Sequence, residues 1–236
     1  MWQTLRTELI DQGVEVVTVA LDTGGVAAAK PFVDMAASEH PSLVDEAHLC
    51  DELLGIVNVP MAVWIDETGT LVRPAHNAQV QVSQFRDAPI PDGLPDRLRD
   101  TLIEVKKIPG DATVYLEALR DWAAKGSESR YALTPDEVIA KSQPRPREYA
   151  EAAAAFELGQ HLYRSGRRDA AVAWFRRAHE LHPDNWTYKR QAWTLATTKD
   201  GELSDLLQGP TDLYEGNWLS DIQRLGAENY YPPFEP

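Results

Sequence analysis

Cysteine is all but missing: Cys50 is the only one in 236 residues. One thiol cannot close an internal disulfide, and with no Cys-x-x-Cys pair or Cys/His cluster the sequence offers no zinc set. Long apolar runs are missing too, none approaching the roughly 20 residues that span a bilayer. The leading Met-Trp-Gln-Thr-Leu-Arg-Thr-Glu is amphipathic with an early acid, unlike a signal peptide. Basic charge is in deficit: 23 Lys and Arg against 37 Asp and Glu leave a formal net charge of -14. Nucleic acid and anionic membranes reward a basic surface, so neither is the expected partner, and the acidity reads as solubility. There is no GxGxxG, P-loop, HExxH or GxSxG. His161, His179 and His182 are spaced as ordinary helix-surface histidines. No metal and no cofactor is expected, and the chain as given reads as cytoplasmic, although an upstream segment would change that.

What is present is a change of pattern along the chain. Residues 2 to 12 place Trp2, Leu5, Leu9 and Ile10 at helical spacing, and Gly13 ends that helix. Val14 to Leu21 is a β-branched run, apolar on both faces, as in strands covered by helices on both sides. A helix is expected from about Val26 to Ser38, a short strand at Pro41–Val44, and a short helix from His48 to Leu54 closed by Gly55. A strand starts at Pro60, Asp66–Gly69 makes a hairpin turn, and Thr70–Val72 begins the return strand. This order predicts one mixed sheet with helices packed on it. Residues 74 to 110 are rich in proline and polar residues and read as a long insertion with at most a short helix near 95–103. Asp111 to Ala124 is an amphipathic helix stopped by Gly126, and Pro135 opens another. Ser142–Pro146 is a linker. The expected domains are 1–126, a linker with a short helix at 127–146, and an α-rich module at 147–236. Within the acidic chain, Pro144–Arg190 is mildly basic, with nine Lys and Arg against six acids.

The segment from about Val14 to Ala123 resembles the thioredoxin-like fold, in particular the ResA/TlpA type of thiol-disulfide reductase. The strings that carry the resemblance are VEVVTVALD, PSLVDE and LLGIVNVPMAVWIDETGTLV. The last has that family's glycine and valine before a proline, an apolar strand ending in aspartate, and a glycine at the hairpin. The resemblance implies that Pro60 is the cis proline of a substrate-binding loop, with Val59 supplying the backbone contact. The departure is that the family's first strand and both catalytic cysteines have no counterpart, because Met1 falls where the second half of the cysteine-bearing helix would lie. Catalysis in that family needs a low-pKa thiolate at a helix N-terminus. Either the chain is a cysteine-free remnant, or an upstream sequence supplies the strand with a Cys-x-x-Cys or selenocysteine motif. Cys50 reads as a small packed hydrophobe, and His48, two residues away, does not share its helix face.

Ala152 to Asn185 resembles one tetratricopeptide repeat, whose period is about 34 residues. Leu158-Gly159, Ala171, Phe175, Ala178 and Pro183 match its small and large positions, with Gly166 in the turn between helices. Gly159 and Ala171 would let two antiparallel helices approach closely while Phe175 fills the groove. A second repeat beginning at Trp186 fits only loosely (Ala192, Trp193, Ala196). Cover for the single repeat is therefore sought from the Asp136–Ala140 helix, the Trp186–Thr197 helix and the segment with Trp218, Leu219, Ile222 and Leu225. The resemblance implies a peptide groove at Phe156, Gln160, Tyr163 and Arg164, with Arg190 on the next helix. The tail Tyr230–Phe234 holds three aromatics in five residues, a patch that soluble proteins cover. It is expected to pack back onto the protein, with Trp218 and Leu219 anchoring the helix before it.

Together these readings give an α/β thioredoxin-like domain, incomplete at its N-terminus, fused to an all-α TPR-like module. The expected function is that of the thiol-disulfide oxidoreductase family, with its catalytic thiol or selenol absent from this chain. The alternative is a non-catalytic peptide-binding adaptor, and a weaker one is a peroxiredoxin-like enzyme. In each case the partner is a protein or peptide.

Overall fold

Periodicity of 3.6 residues dominates the chain and strand-like alternation is confined to its first third, so the protein is mixed α/β with small sheets and many helices. A computed structural model describes residues 2–81, 86–110, 112–142, 144–195, 216–231 and 233–235. In chain order the elements are α1 (Trp2–Leu9), β1 (Thr18–Leu21), α2 (Gly25–Ala36), β2 (Ser42–Asp45), α3 (Leu49–Leu54), β3 (Met61–Ile65) and β4 (Leu71–Asn77). There follow α4 (Asp96–Lys107), α5 (Thr113–Lys125), α6 (Pro135–Lys141), α7 (Arg147–Arg164), α8 (Arg168–Leu181), α9 (Trp186–Leu195) and α10 (Trp218–Leu225). The expected helical positions Asp111, Ala196 and Thr197 lie outside the described residues, as does Pro232 of the tail.

The chain divides into two compact units. The first comprises Met1–Gln81, Asp111–Arg145 and Phe234–Pro236, and the second Val82–Gly110 and Pro146–Pro233. The stretch 74–110, expected as one insertion, is thus split. Its beginning continues β4 in the first unit, and α4, longer than expected, belongs to the second.

In the first unit β1 and β2 pair in parallel, from Thr18 opposite Ser42 to Leu21 opposite Asp45. β3 and β4 form an antiparallel hairpin. The structure therefore has two two-stranded sheets where one mixed sheet was expected. β1 is also shorter than its apolar run. Ahead of it Glu15 binds Arg6 at 2.8 and 3.0 Å and takes the N–H of Val16, and ladder pairing starts at Thr18, opposite the first residue of β2. Nor is β1 covered on both faces: Val17, Val19 and Leu43 are 51%, 39% and 54% exposed. β4 runs past Val72 because Pro74, which has no N–H to give, sits where the register slips, with two β4 residues opposite Val63 alone. The core lies around Leu9, Trp64, Tyr115, Ala118 and Leu119. α6 opens on a capping box, Thr134 and Glu137 each bonding the other's backbone N–H.

In the second unit α7 and α8 form a helical hairpin with Gly166 in its turn at φ 77°. A Cβ on Gly159 would lie 2.6 Å from the Phe175 ring, so the bare glycine is what lets the helices close. Phe156 stacks on Tyr188 with centroids 4.1 Å apart, joining α9 to the hairpin. α10 brings Trp218 and Ile222 into the same core, and α4 packs against α10. The cover sought for the hairpin thus comes from α9, α10 and α4, whereas α6 lies in the first unit.

Candidate functional site

Cys50 lies in the first turn of α3 and is half-buried. The helix is entered through His48, which adopts a left-handed φ of 59° and is buried. Asp45, at the end of β2, receives the Cys50 N–H at 2.8 Å. Burial works to raise the Asp45 pKa, but the N–H groups of Cys50 and Leu49, the Cys50 thiol and the nearby His48 outweigh it and hold it below its ordinary value. The same contact acts in reverse on the thiol. Burial, together with the Asp45 carboxylate, pushes the Cys50 pKa up to about 11. His48 is pushed down to about 4 by burial, opposed by Asp45. It is neutral at pH 7, and so supplies no cation to draw out a thiolate. Asp51 is buried one turn on, where Arg145 donates to its backbone carbonyl at 2.7 Å.

The Val59–Pro60 bond is cis. Val59 is exposed, and its N–H donates to the Asn58 side chain at 2.8 Å. A peptide taking the Val59 backbone would first displace that bond. Pro60 leads into β3, its carbonyl accepting from Ala78 N–H at 3.1 Å.

The five positions of the expected helical groove do not line one open surface. Phe156 and Gln160 are 1% and 0% exposed, filling the core that α7 shares with α8 and α9. Tyr163 is half-buried, with the Arg168 guanidinium 5.3 Å from its ring. Arg190 reaches the Tyr230 hydroxyl at 2.6 Å. Arg164 alone is exposed. Two causes act: helix packing buries Phe156 and Gln160, and Tyr230, docked on Trp186 and Trp218, engages the arginine that would have faced a ligand. Among the described residues a concavity of about 290 Å³ lies elsewhere on the α7–α8 hairpin, lined by Leu158, Trp174 and Leu181 together with Glu151 and Arg177. Of these residues the sequence pointed only to Leu158, and to that as a packing position. The available signal was Trp174, a large aromatic, 41% exposed, on an alanine-rich helix.

A second arrangement was also missed. On β4, Arg73 is buried opposite Trp64 and lies under the ring of Phe234. Among the described residues no group of His, Cys, Asp and Glu is placed to hold a metal ion, and no helix is long and apolar enough to cross a membrane. No protein-family model matches the chain, and no curated protein or solved structure matches it.

Proposed function

We propose that this chain is a non-catalytic, protein-binding adaptor of the thioredoxin-like plus TPR-like kind, related to thiol-disulfide oxidoreductases in architecture and not in chemistry. The observation that supports it is the state of Cys50. A thiol-disulfide reductase attacks through a thiolate, favoured by a nearby cation or a helix N-terminus. Cys50 sits in the first turn of α3, but it is half-buried and hydrogen-bonded to a carboxylate, and these push it up to about 11. At pH 7 about one thiol in ten thousand would be ionised at that value. A peroxide-reducing role meets the same obstacle, because it too starts from a thiolate. On this reading, partners bind at the Val59–Pro60 loop and at the cleft beside Trp174.

The test is turnover. The chain is expected to reduce insulin disulfides no faster than a Cys50→Ser variant. A rate above background that disappears with Cys50→Ser would show that Cys50 is a working nucleophile and would end the adaptor reading.

A further inference from the structure

Phe234–Pro236 belongs to the first unit although the stretch directly before it, Pro146–Pro233, belongs to the second. Phe234 enters a slot where its ring meets four aromatic side chains and one cation. His76 and Tyr115 meet its ring edge-to-face at centroid distances of 5.3 and 5.4 Å. Trp64 and Tyr131 stand at 6.4 and 6.5 Å. The Arg73 guanidinium lies 4.3 Å from the ring centroid and donates to the backbone carbonyl of Glu235. Lys141 reaches the Glu235 carboxylate at 3.2 Å, an exposed pair that contributes little.

These walls are held by contacts in which the tail takes no part. Trp64 stacks on Trp122 at 4.8 Å and 13°. Arg73 donates to the Tyr131 carbonyl at 2.8 Å, and His76 Nδ1 lies 2.8 Å from the Pro74 carbonyl. Walls that have partners of their own besides the tail suit a binding site, a concavity with few, placed polar groups. What it reads is also plain from its chemistry. The aromatic edges and the cation select a flat ring, and Arg73 reads a backbone carbonyl, which any residue supplies. The prolines at 232 and 233 before the phenylalanine stiffen the entering chain and reduce the entropy lost on docking.

We propose that Trp64, Arg73, His76, Tyr115 and Tyr131 form a peptide-recognition slot for an extended segment carrying a phenylalanine after prolines, and that the chain's own Phe234–Glu235 is its tethered occupant. The slot is separate from the Val59–Pro60 loop and from the Trp174 cleft. A tethered ligand works at an effective concentration of roughly millimolar, so the tail masks the slot and a competing partner must present a similar segment at higher local concentration.

The experiment uses a chain ending at Pro233 and a fluorescein-labelled peptide of the sequence at positions 230–236. Saturable binding is expected for the shortened chain, with about tenfold weaker apparent binding to the full chain. Replacing the peptide's phenylalanine by alanine is expected to weaken binding at least about tenfold, whereas Lys141→Ala in the shortened chain changes it less than about threefold. Equal binding of the alanine peptide, equal binding to the full chain, or no binding to a shortened chain that is folded by circular dichroism would overturn the proposal. Should the shortened chain not fold, the full chain with 4-fluorophenylalanine at position 234 decides the matter. Its fluorine resonance is expected to be displaced from the unfolded position by the surrounding rings and to move back as excess peptide is added. A resonance at the unfolded position, or one that excess peptide leaves unmoved, would overturn the proposal.

Discussion

At Gly159 two effects of a single methyl group oppose each other. In a helix interior Ala is better than Gly by about 1 kcal/mol. Here the added Cβ would come within 2.6 and 2.7 Å of the Phe175 ring, which is buried and packed on Phe156 at 5.4 Å. Overpacking of this kind costs about 1–3 kcal/mol, so Gly159→Ala is expected to be net destabilising by up to about 2 kcal/mol in chemical denaturation. Stabilisation instead would mean that the two helices are not held this closely. The buried histidines supply a second residue-level expectation. His48 and His76 are pushed from an ordinary 6.5 to about 4, chiefly by burial. His76 is turned toward the Pro74 carbonyl, which favours its charged form, and toward Arg73, which disfavours it. Between pH 6.5 and about 4 the unfolded chain binds protons at these two sites and the folded chain does not. Stability is therefore present above pH 6.5 and falls as the pH drops through that window, by up to about 1.4 kcal/mol per pH unit for each histidine. NMR titration of either ring is expected to give a midpoint near 4, and a midpoint near 6.5 would contradict the burial argument.

Among the elements, α9 and α10 are joined by an ion pair that sequence periodicity does not reveal. Lys189 is 3% exposed and contacts the Asp221 carboxylate at 2.7 Å while lying 4.9 Å from the Trp186 ring. Removing one partner strands a buried charge, at a cost of about 3–5 kcal/mol, whereas replacing both by apolar residues is often neutral. Asp221→Leu is therefore expected to lower the urea midpoint strongly, and the double change with Lys189→Met to recover most of it. Equal loss in the single and the double variant would show that the pair itself carries the stability. Legibility follows the same division between local and distant causes. The β3–β4 hairpin was readable because Asp66–Gly69 marks its turn, and α7–α8 because the small residues at Gly159 and Ala171 recur at helix-packing intervals. The length of β1 was not readable, since it depends on where β2 begins to pair. The Cys50 surroundings were half-readable: a packed role was expected, but the carboxylate that holds the thiol comes from β2. The expected helical groove failed to appear as an open surface because Phe156 and Gln160 are buried against α8 and α9, and because Tyr230, forty residues beyond Arg190, occupies that arginine.

For the whole molecule, the C-terminal segment is where local reading and long-range structure meet. The tail was expected to pack back, and it does: Tyr230 is buried in the second unit, Phe234 packs in the first, and Trp218 lies in the second unit's core with Leu219 against it. Which partners each ring would choose has no periodic signature, because Phe234 lies 170 positions from Trp64. Deleting residues 226–236 removes an anchor from each unit. It is expected to lower the melting temperature by several degrees, as a loss of about 1–2 kcal/mol would. An unchanged melting temperature would mean that neither ring contributes to the fold.

The adaptor reading stands on the chemistry of one thiol, and the pH dependence of its alkylation addresses that directly. The rate of Cys50 modification by iodoacetamide, followed by mass spectrometry on the native chain, tracks the thiolate fraction. The rate is expected to rise continuously through the neutral range with no plateau, toward a midpoint near 11. A plateau below pH 8 would place a reactive thiolate in this chain and contradict the account.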